Sequence, residues 1–206
     1  KPSALKIDFT ITASADGVTP LPGVVPDPPK LYTLKIEGAQ MNKAVLKKIP
    51  VCKAPGIMDA NQVDTMCPKG SIIGSGVLTA SAGTPGQPQA TGCPLPFNVY
   101  HTGYKSGIGL FIKAAPPLCT IPVNQWVEVN YKQVGTTTVL SFSLRYDKLV
   151  RVAGSDDANG IFAAPVKSTL TVKKITKKIG KQTRGLGESI GCKVKGKREV
   201  SATFVT

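Results

Sequence analysis

Side chains that catalyse reactions or bind metals are scarce in this sequence. One residue of 206 is histidine, 12 are acidic, and aromatic residues make up 6% of the chain. The five cysteines form no C-x-x-C pair and have no histidine partners at metal-ligand spacing, which argues against a zinc site. No apolar run is long enough for a transmembrane helix. We therefore expect a non-catalytic protein with no cofactor and no metal.

The few residues that could support catalysis fit turn, surface or core roles better. No G-x-S-x-G nucleophile motif accompanies His101, so a turn or surface histidine is the better interpretation. Residues 154–160 contain Asp156 and Asp157 but lack the spacing of a calcium loop, and they read as a polar hairpin loop. Trp126 could stack on a sugar ring, but a lone aromatic is usually a core residue. A hydrolase that uses His101 or the Asp156/Asp157 loop is thus the weakest of three functional hypotheses.

The sequence is rich in β-strand patterns. Apolar and polar residues alternate with period two in many segments, and helical periodicity is nearly absent. The 21 glycines and 17 prolines are spread along the chain, as is typical of short strands joined by tight turns. We predict an all-β fold, an antiparallel β-sandwich that forms one extended domain over residues 1–206. The alternating apolar sets are Ile7, Phe9 and Ile11; Tyr32, Leu34 and Ile36; Val127, Val129 and Tyr131; Leu140, Phe142, Leu144 and Tyr146; Leu170 and Val172; and Val200, Ala202 and Phe204.

Two segments depart from this pattern. Residues 57–66 lie between Pro55-Gly56 and Cys67-Pro68, and they are predicted to form one short helix. Residues 80–96 are rich in Ala, Gly, Pro, Thr and Gln, which predicts an irregular exposed loop. That loop is the candidate for a sub-boundary, but similar strand patterns on both sides favour one continuous domain.

The cysteines indicate disulfides and an oxidising compartment. Cys52 with Cys67 and Cys93 with Cys119 are the favoured pairs, because each closes a local loop. Cys192 is then left as a buried thiol, the partner in a different pairing, or a link between two chains. The chain begins with Lys1 and shows no signal peptide, which fits a mature exported chain, extracellular or at the cell surface; a trimmed piece is the alternative.

The net charge of +14 is concentrated near the C-terminus. Residues 167–198 contain eleven basic residues and one acidic residue, Glu188. Such a stripe could attract an anionic polymer, or it could simply keep the outer face soluble and guard strand edges. Specific nucleic-acid binding is not expected, because stacking aromatics are missing from this region. The candidate polymer-binding residues are Lys173, Lys174, Lys177, Lys178, Lys181 and Arg184.

Two stretches resemble a known group of proteins. In the first, a cysteine after a strand, Cys52, and a short helical stretch lead into residues 67–76, which carry the pattern C-P-x-x-S-x-I-G-x-G; in the second, residues 190–206 form a cysteine-plus-basic C-terminal strand. Both are similar to segments of exported β-rich actinobacterial proteins of unknown function. The resemblance covers roughly a fifth of the chain. It implies an exported location and a β-rich fold, and it transfers no catalytic residue.

These features lead to a structural role as the first hypothesis: a self-assembling subunit of a surface layer, fibre or extracellular matrix. An N-terminal strand could complete a neighbour's sheet by strand addition, which predicts self-association. The alternative is an adhesion or binding module that recognises anionic glycans or cell-wall polymers through the basic C-terminal patch. The strand-exchange candidates are Leu5, Ile7, Phe9 and Ile11.

Overall fold

The predicted all-β fold is confirmed by a computed structural model, in which antiparallel strands dominate. The structure describes residues 2, 4–11, 21, 23–27, 30–53, 63, 65–84, 86–88, 91–102, 107–119, 123–143, 162–191 and 199–205. The strands are β1 (Leu5–Thr10), β2 (Leu31–Glu37), β3 (Ala39–Met41), β4 (Ile72–Gly83), β5 (Thr91–His101), β6 (Ile108–Ala114), β7 (Val123–Val134), β8 (Thr137–Ser143), β9 (Phe162–Val172), β10 (Thr176–Ile179), β11 (Gln182–Gly185), β12 (Gly187–Ser189) and β13 (Val200–Val205). Helix α1 (Lys43–Leu46) and a 3₁₀ turn (Lys69–Ser71) complete the described elements.

Nine of these strands form one large sheet. Their order is β1-β9-β4-β5-β6-β7-β8-β2-β13, and every neighbouring pair is antiparallel. The sheet curls so far that its two outer strands meet. The rings of Phe9 on β1 and Phe204 on β13 lie 5.7 Å apart. The two facing walls of the predicted sandwich therefore belong to a single curled sheet.

Period-two alternation places one face of each strand inside the curl. Ile36, Phe97, Val99, Ile112 and Val129 are all at least 92% buried there. Charged and hydroxyl side chains such as those of Lys6 and Asp8 alternate with them on the outer face. Burial of this apolar face is the main force that stabilises the sheet.

Small elements close one end of the curled sheet. Helix α1, the β3–β12 pair and the β10–β11 hairpin pack there around Val45 and Leu186, which are 0% and 2% exposed. Backbone hydrogen bonds tie these elements together, since Leu186 donates to Ile175 and accepts from Asn42. We call this part of the molecule the capped end.

A second apolar cluster lies on the outer face of strands β5, β6 and β7. Tyr100, Phe111 and Trp126 project from these strands and are covered by Cys52, Val63 and Cys67. The disulfide between Cys52 and Cys67 holds the covering segment in place. The sheet is thus buried on both faces at this position.

The prediction of an irregular loop over residues 80–96 is wrong. Strands β4 and β5 continue through most of this segment, and Ala80 lies opposite Cys93 in their antiparallel pairing. Pro94 and Pro96 are tolerated because this half of β5 pairs with β4 alone, while β6 pairs with β5 only from Phe97 onward.

The prediction of one short helix near residues 57–66 is confirmed where the structure describes that segment. Of residues 57–66, the structure describes only Val63, Thr65 and Met66, which are helical; the rest lies outside the described residues. The short helix α1 was not predicted. It begins after Asn42, whose side chain accepts hydrogen bonds from the backbone N–H groups of Ala44 and Val45 at 3.0 and 3.2 Å.

The C-P-x-x-S-x-I-G-x-G segment has a structural explanation. Ser71 is fully buried and its hydroxyl donates to the carbonyl oxygen of Pro68 at 2.6 Å, which closes the 3₁₀ turn before β4. A Cβ atom at Gly74 would collide with the backbone of β9, and one at Gly76 would collide with the Phe97 ring. The two glycines let β9 and the Phe97 ring approach β4 closely.

Gly76→Ala should therefore destabilise the protein by about 2–3 kcal/mol, because Phe97 and β9 would have to move apart. Urea unfolding measures the change. Ser75→Ala is the matched control, since Ser75 is the exposed neighbour on the same strand and should stay within about 0.5 kcal/mol of the parent. Equal stability of the two variants would contradict the packing described for Phe97.

Candidate functional site

The curled sheet surrounds an apolar cavity of about 210 Å³ that is partly open to solvent. Its walls come from the inward faces of strands on all sides of the curl, and β3 and β12 line it at the capped end. A protein interior is normally packed as densely as an organic crystal, so a void of this size is unusual. Representative wall residues are Ile7, Leu34, Phe97, Leu110, Val129 and Leu140.

An aromatic group forms part of the cavity wall. The Tyr32 ring stacks on Phe142, with centroids 4.7 Å apart and planes 5° from parallel, and it meets Phe204 edge-on at 5.4 Å. Tyr32 is 4% exposed. Its hydroxyl is buried and has no hydrogen-bond partner among the residues that the structure describes. Burial also raises the pKa of Tyr32, so the hydroxyl stays protonated at physiological pH.

Two polar side chains on the cavity wall, those of Tyr131 and Thr138, form hydrogen bonds within the protein. The Tyr131 hydroxyl donates to Gln133 Oε1 at 3.0 Å and accepts from the Met41 backbone N–H at 3.2 Å. The Thr138 hydroxyl contacts the Ala39 carbonyl oxygen at 2.7 Å. These bonds attach β3 to β7 and β8, so they serve the structure.

Glu188 is the centre of a polar network at the capped end. Its carboxylate accepts two short bonds from the Arg184 guanidinium, at 2.6 and 2.7 Å, and further bonds from Asn42 and Gln40. The Gly185 backbone N–H also donates to it. The hydrogen bonds from Arg184 outweigh the effect of burial and lower the pKa of Glu188 to about 2.

The basic residues of the predicted patch lie at the same end. Lys173, Lys174, Lys178 and Lys181 are exposed, whereas Arg184 is held by Glu188. Helix α1 adds charge to this surface, because Lys48 Nζ donates to the Lys178 carbonyl oxygen at 2.9 Å. We call the resulting surface the basic end. It comprises Lys43, Lys47, Lys48, Lys173, Lys174, Lys177, Lys178 and Lys181.

His101 and Trp126 take structural positions. The expectation of a turn or surface histidine is wrong, because His101 lies on β5, is 6% exposed, and donates through Nδ1 to the Ile49 carbonyl oxygen at 3.2 Å. Trp126 belongs to the outer cluster and donates through Nε1 to Glu128 at 2.6 Å. The side chain that could have stacked on a sugar is thus a core residue.

The structure pairs Cys52 with Cys67 and Cys93 with Cys119, the same pairs that the loop-closure argument favours. Cys192 and the Asp156/Asp157 loop lie outside the described residues. The strand-exchange candidates Leu5, Ile7 and Phe9 are on β1, which pairs with β9 of its own chain along its whole length, and Ile11 follows it. Strand exchange would have to replace that pairing, and self-association stays a prediction.

Within the part of the chain that the structure describes, no three His, Cys, Asp or Glu side chains come together to hold a metal ion, and no helix could span a membrane. Comparison with protein-family models, curated proteins and solved structures found no match.

Sequence reasoning missed the cavity, the role of Tyr32 and the Glu188 network. It placed Tyr32 on the inward face of a strand, but alternation alone does not distinguish a filled interior from a hollow one. Glu188 stood out as the lone acidic residue among eleven basic ones over residues 167–198. That isolation was a usable signal, because an acidic side chain within a basic segment often forms a specific ion pair.

The Glu188 network predicts a pH dependence of stability. The folded-state pKa of about 2 lies below the ordinary value of 4.5, so the carboxylate stabilises the fold above about pH 4.5 and this contribution is lost as the pH falls toward 2. Glu188→Gln should cost about 2 kcal/mol near neutral pH and should flatten the stability profile between those values. Urea unfolding at a series of pH values measures both effects.

Asp8→Asn is the control for this experiment. Asp8 is an exposed carboxylate 3.1 Å from Lys6. Its removal should leave the steep loss of stability between about pH 4.5 and pH 2 in place. If Glu188→Gln lost stability below pH 4.5 as steeply as the parent does, Glu188 would not be the source of this pH dependence.

Proposed function

We propose that this chain is an exported, non-catalytic protein that binds a small, largely apolar molecule inside its curled sheet. The apolar cavity of about 210 Å³ is the observation that carries the proposal. Ligand sites are typically concave, apolar and furnished with few polar groups. The two disulfides support an oxidising, extracellular setting, and the resemblance to exported actinobacterial proteins points the same way.

The cavity volume limits the size of the ligand. A dry cavity of roughly 150 Å³ lined by aliphatic and aromatic side chains holds a benzene molecule. By proportion, a cavity of 210 Å³ suits a compact molecule of roughly eight to ten non-hydrogen atoms. Transfer of such a molecule from water into an apolar site is favourable without any charged anchor.

The bicyclic hydrocarbon indane is a suitable probe, because it has nine carbon atoms and no polar group. It should bind the parent protein, and Leu34→Trp and Leu110→Trp should each weaken binding at least tenfold by filling the cavity from different walls. Equilibrium dialysis measures the dissociation constants.

Val77→Trp is the matched control, because Val77 is 44% exposed and does not line the cavity. It should bind indane as the parent does. A parent protein that fails to bind indane, or cavity variants that bind it as tightly as the parent, would contradict the proposed function.

A second candidate function is attachment to anionic polymers through the basic end. It is supported by α1, which places Lys43, Lys47 and Lys48 beside the lysines of the β10–β11 hairpin. The nearby carboxylate of Glu188 is buried and paired with Arg184, so it offsets little of the exposed lysine charge. An extended cluster of one sign attracts polyanions over about a Debye length.

Replacing Lys177, Lys178 and Lys181 together by glutamine should weaken binding to an acidic polysaccharide such as polygalacturonate about tenfold at low salt. The slope of log affinity against log salt should also become shallower, because fewer counterions are released. Affinity chromatography and titrations at several salt concentrations measure both quantities.

The matched control replaces Lys30, Lys35 and Lys132 by glutamine. These lysines are exposed elsewhere on the protein, and their replacement removes the same total charge as the triple variant of the basic end. If both triple variants lose affinity equally, net charge rather than the basic end explains binding. That outcome, or salt-insensitive binding, would contradict attachment through the basic end.

A further inference from the structure

We propose that the cavity opens between β1 and β13 and binds a single-chain amphiphile, an alkyl carboxylate whose tail lies inside while its head group stays in water at that opening. This inference rests on the proposed function and adds the chemical class of the ligand and the place where it leaves the interior. It is carried by the exposure of the two outer strands of the curled sheet, compared with the burial of the strands between them.

The exposure of inward-facing side chains locates the opening. Inward residues in the middle of the sheet are buried, and Ile36 and Val129 are only 1% and 4% exposed. Val200 on β13 faces inward as well, because it lies directly opposite Ile36, yet it is 54% exposed. Of the described residues that line the cavity, only Ala4 and Ala202 are exposed; one directly precedes β1 and the other is on β13. The cavity therefore opens along the line between these two strands.

Strand direction and side-chain size explain why the gap lies there. Every neighbouring pair in the nine-stranded order is antiparallel, so the first and ninth strands, β1 and β13, run in the same direction. The Phe9 and Phe204 rings meet across the gap. Two residues earlier on the same faces stand Ile7 on β1 and Ala202 on β13, and the alanine has only a methyl group to offer. The rings thus close one part of the line, and the small side chain leaves the next part open.

An opening in an apolar cavity suits a ligand with one polar end. A molecule sealed inside the curl would lose the hydration of any polar group, which is costly. At the opening a head group keeps its hydration, while the tail gains from leaving water. An unbranched tail is slender enough to pass between two strands whose rings still meet nearby. The cavity volume, which suits roughly eight to ten non-hydrogen atoms, corresponds to a tail of about that many carbon atoms.

The charges beside the opening favour an anionic head group. Asp8 on β1 is 3.1 Å from Lys6, so this ion pair is nearly neutral as a whole. Glu199, which directly precedes β13, is the other described acidic residue next to the opening that is exposed. A carboxylate there is attracted by a net positive charge, because the lysines outnumber this one unpaired acid. Three exposed lysines stand on β2 or directly after β9, the strands next to β13 and β1: Lys35, Lys173 and Lys174.

The first test measures how affinity depends on tail length. Dissociation constants of the n-alkyl carboxylates from hexanoate to tetradecanoate are measured by equilibrium dialysis, below their critical micelle concentrations. Each added methylene should tighten binding about fourfold until the tail has roughly ten carbon atoms, and further methylenes should add little because the cavity is full. Decyltrimethylammonium, with a tail of similar length and the opposite charge, should bind roughly threefold more weakly than decanoate.

The second test fills the opening. Ala202→Leu places a larger side chain next to Ile7 and should weaken decanoate binding about tenfold, because the tail and head can no longer lie on both sides of the gap. Indane fits wholly inside the cavity and should keep the affinity of the parent. Because Ala202 is exposed on an outer strand, the variant should fold as the parent does, which circular dichroism checks. Thr203→Leu is the matched control, since Thr203 is the exposed neighbour that does not line the cavity, and it should bind both probes as the parent does.

The outcomes separate the two proposals. If neither indane nor any carboxylate binds the parent, the proposed function fails and this inference fails with it. If indane binds but carboxylate affinity does not rise with tail length, or rises without a break up to tetradecanoate, the ligand class is overturned while the proposed function stands. Equal affinities for decanoate and the cationic amphiphile would overturn the anionic head group. If Ala202→Leu weakens both probes equally, or neither of them, the opening does not lie at Ala202 and the inference alone is overturned.

Discussion

The need to bury one apolar face of a long antiparallel sheet determines most of this structure. Nine strands present alternating apolar residues on the same face, and no second sheet of comparable size covers them among the described residues. The sheet buries this apolar face by curling onto itself, so that Phe9 on one outer strand meets Phe204 on the other. The cavity and the capped end both follow from that curl.

The strand positions could be predicted because period-two alternation is a local property, as β2 and β7 illustrate. The strand order could not, because β1 pairs with β9 and β13 with β2 across most of the chain length. Local composition also misled the prediction over residues 80–96, where prolines sit on a half of β5 that pairs with β4 alone. Edge position is a property of the assembled sheet, and the amino-acid composition of a segment does not reveal it.

In the candidate site, too, features set by neighbouring residues could be predicted from the sequence, and features set by contacts distant in sequence could not. The inward direction of Tyr32 could be derived from its neighbours Leu34 and Ile36, but the missing partner of its hydroxyl depends on strands far away in sequence. The basic end was predicted from the lysines of residues 173–181, while the contribution of α1 depends on a contact between Lys48 and Lys178. Cavity and basic surface are built from different residues, so ligand binding inside and attachment outside are compatible in one molecule.

The contact between β1 and β13 has a consequence for access to the interior. The described residues show ring contacts between these strands but no backbone hydrogen bonds, whereas every other neighbouring pair in the sheet is joined by a ladder. Separating Phe9 from Phe204 therefore breaks side-chain contacts only, which costs far less than opening a ladder. The wall is therefore weakest along this line, where side-chain packing alone holds the two outer strands together.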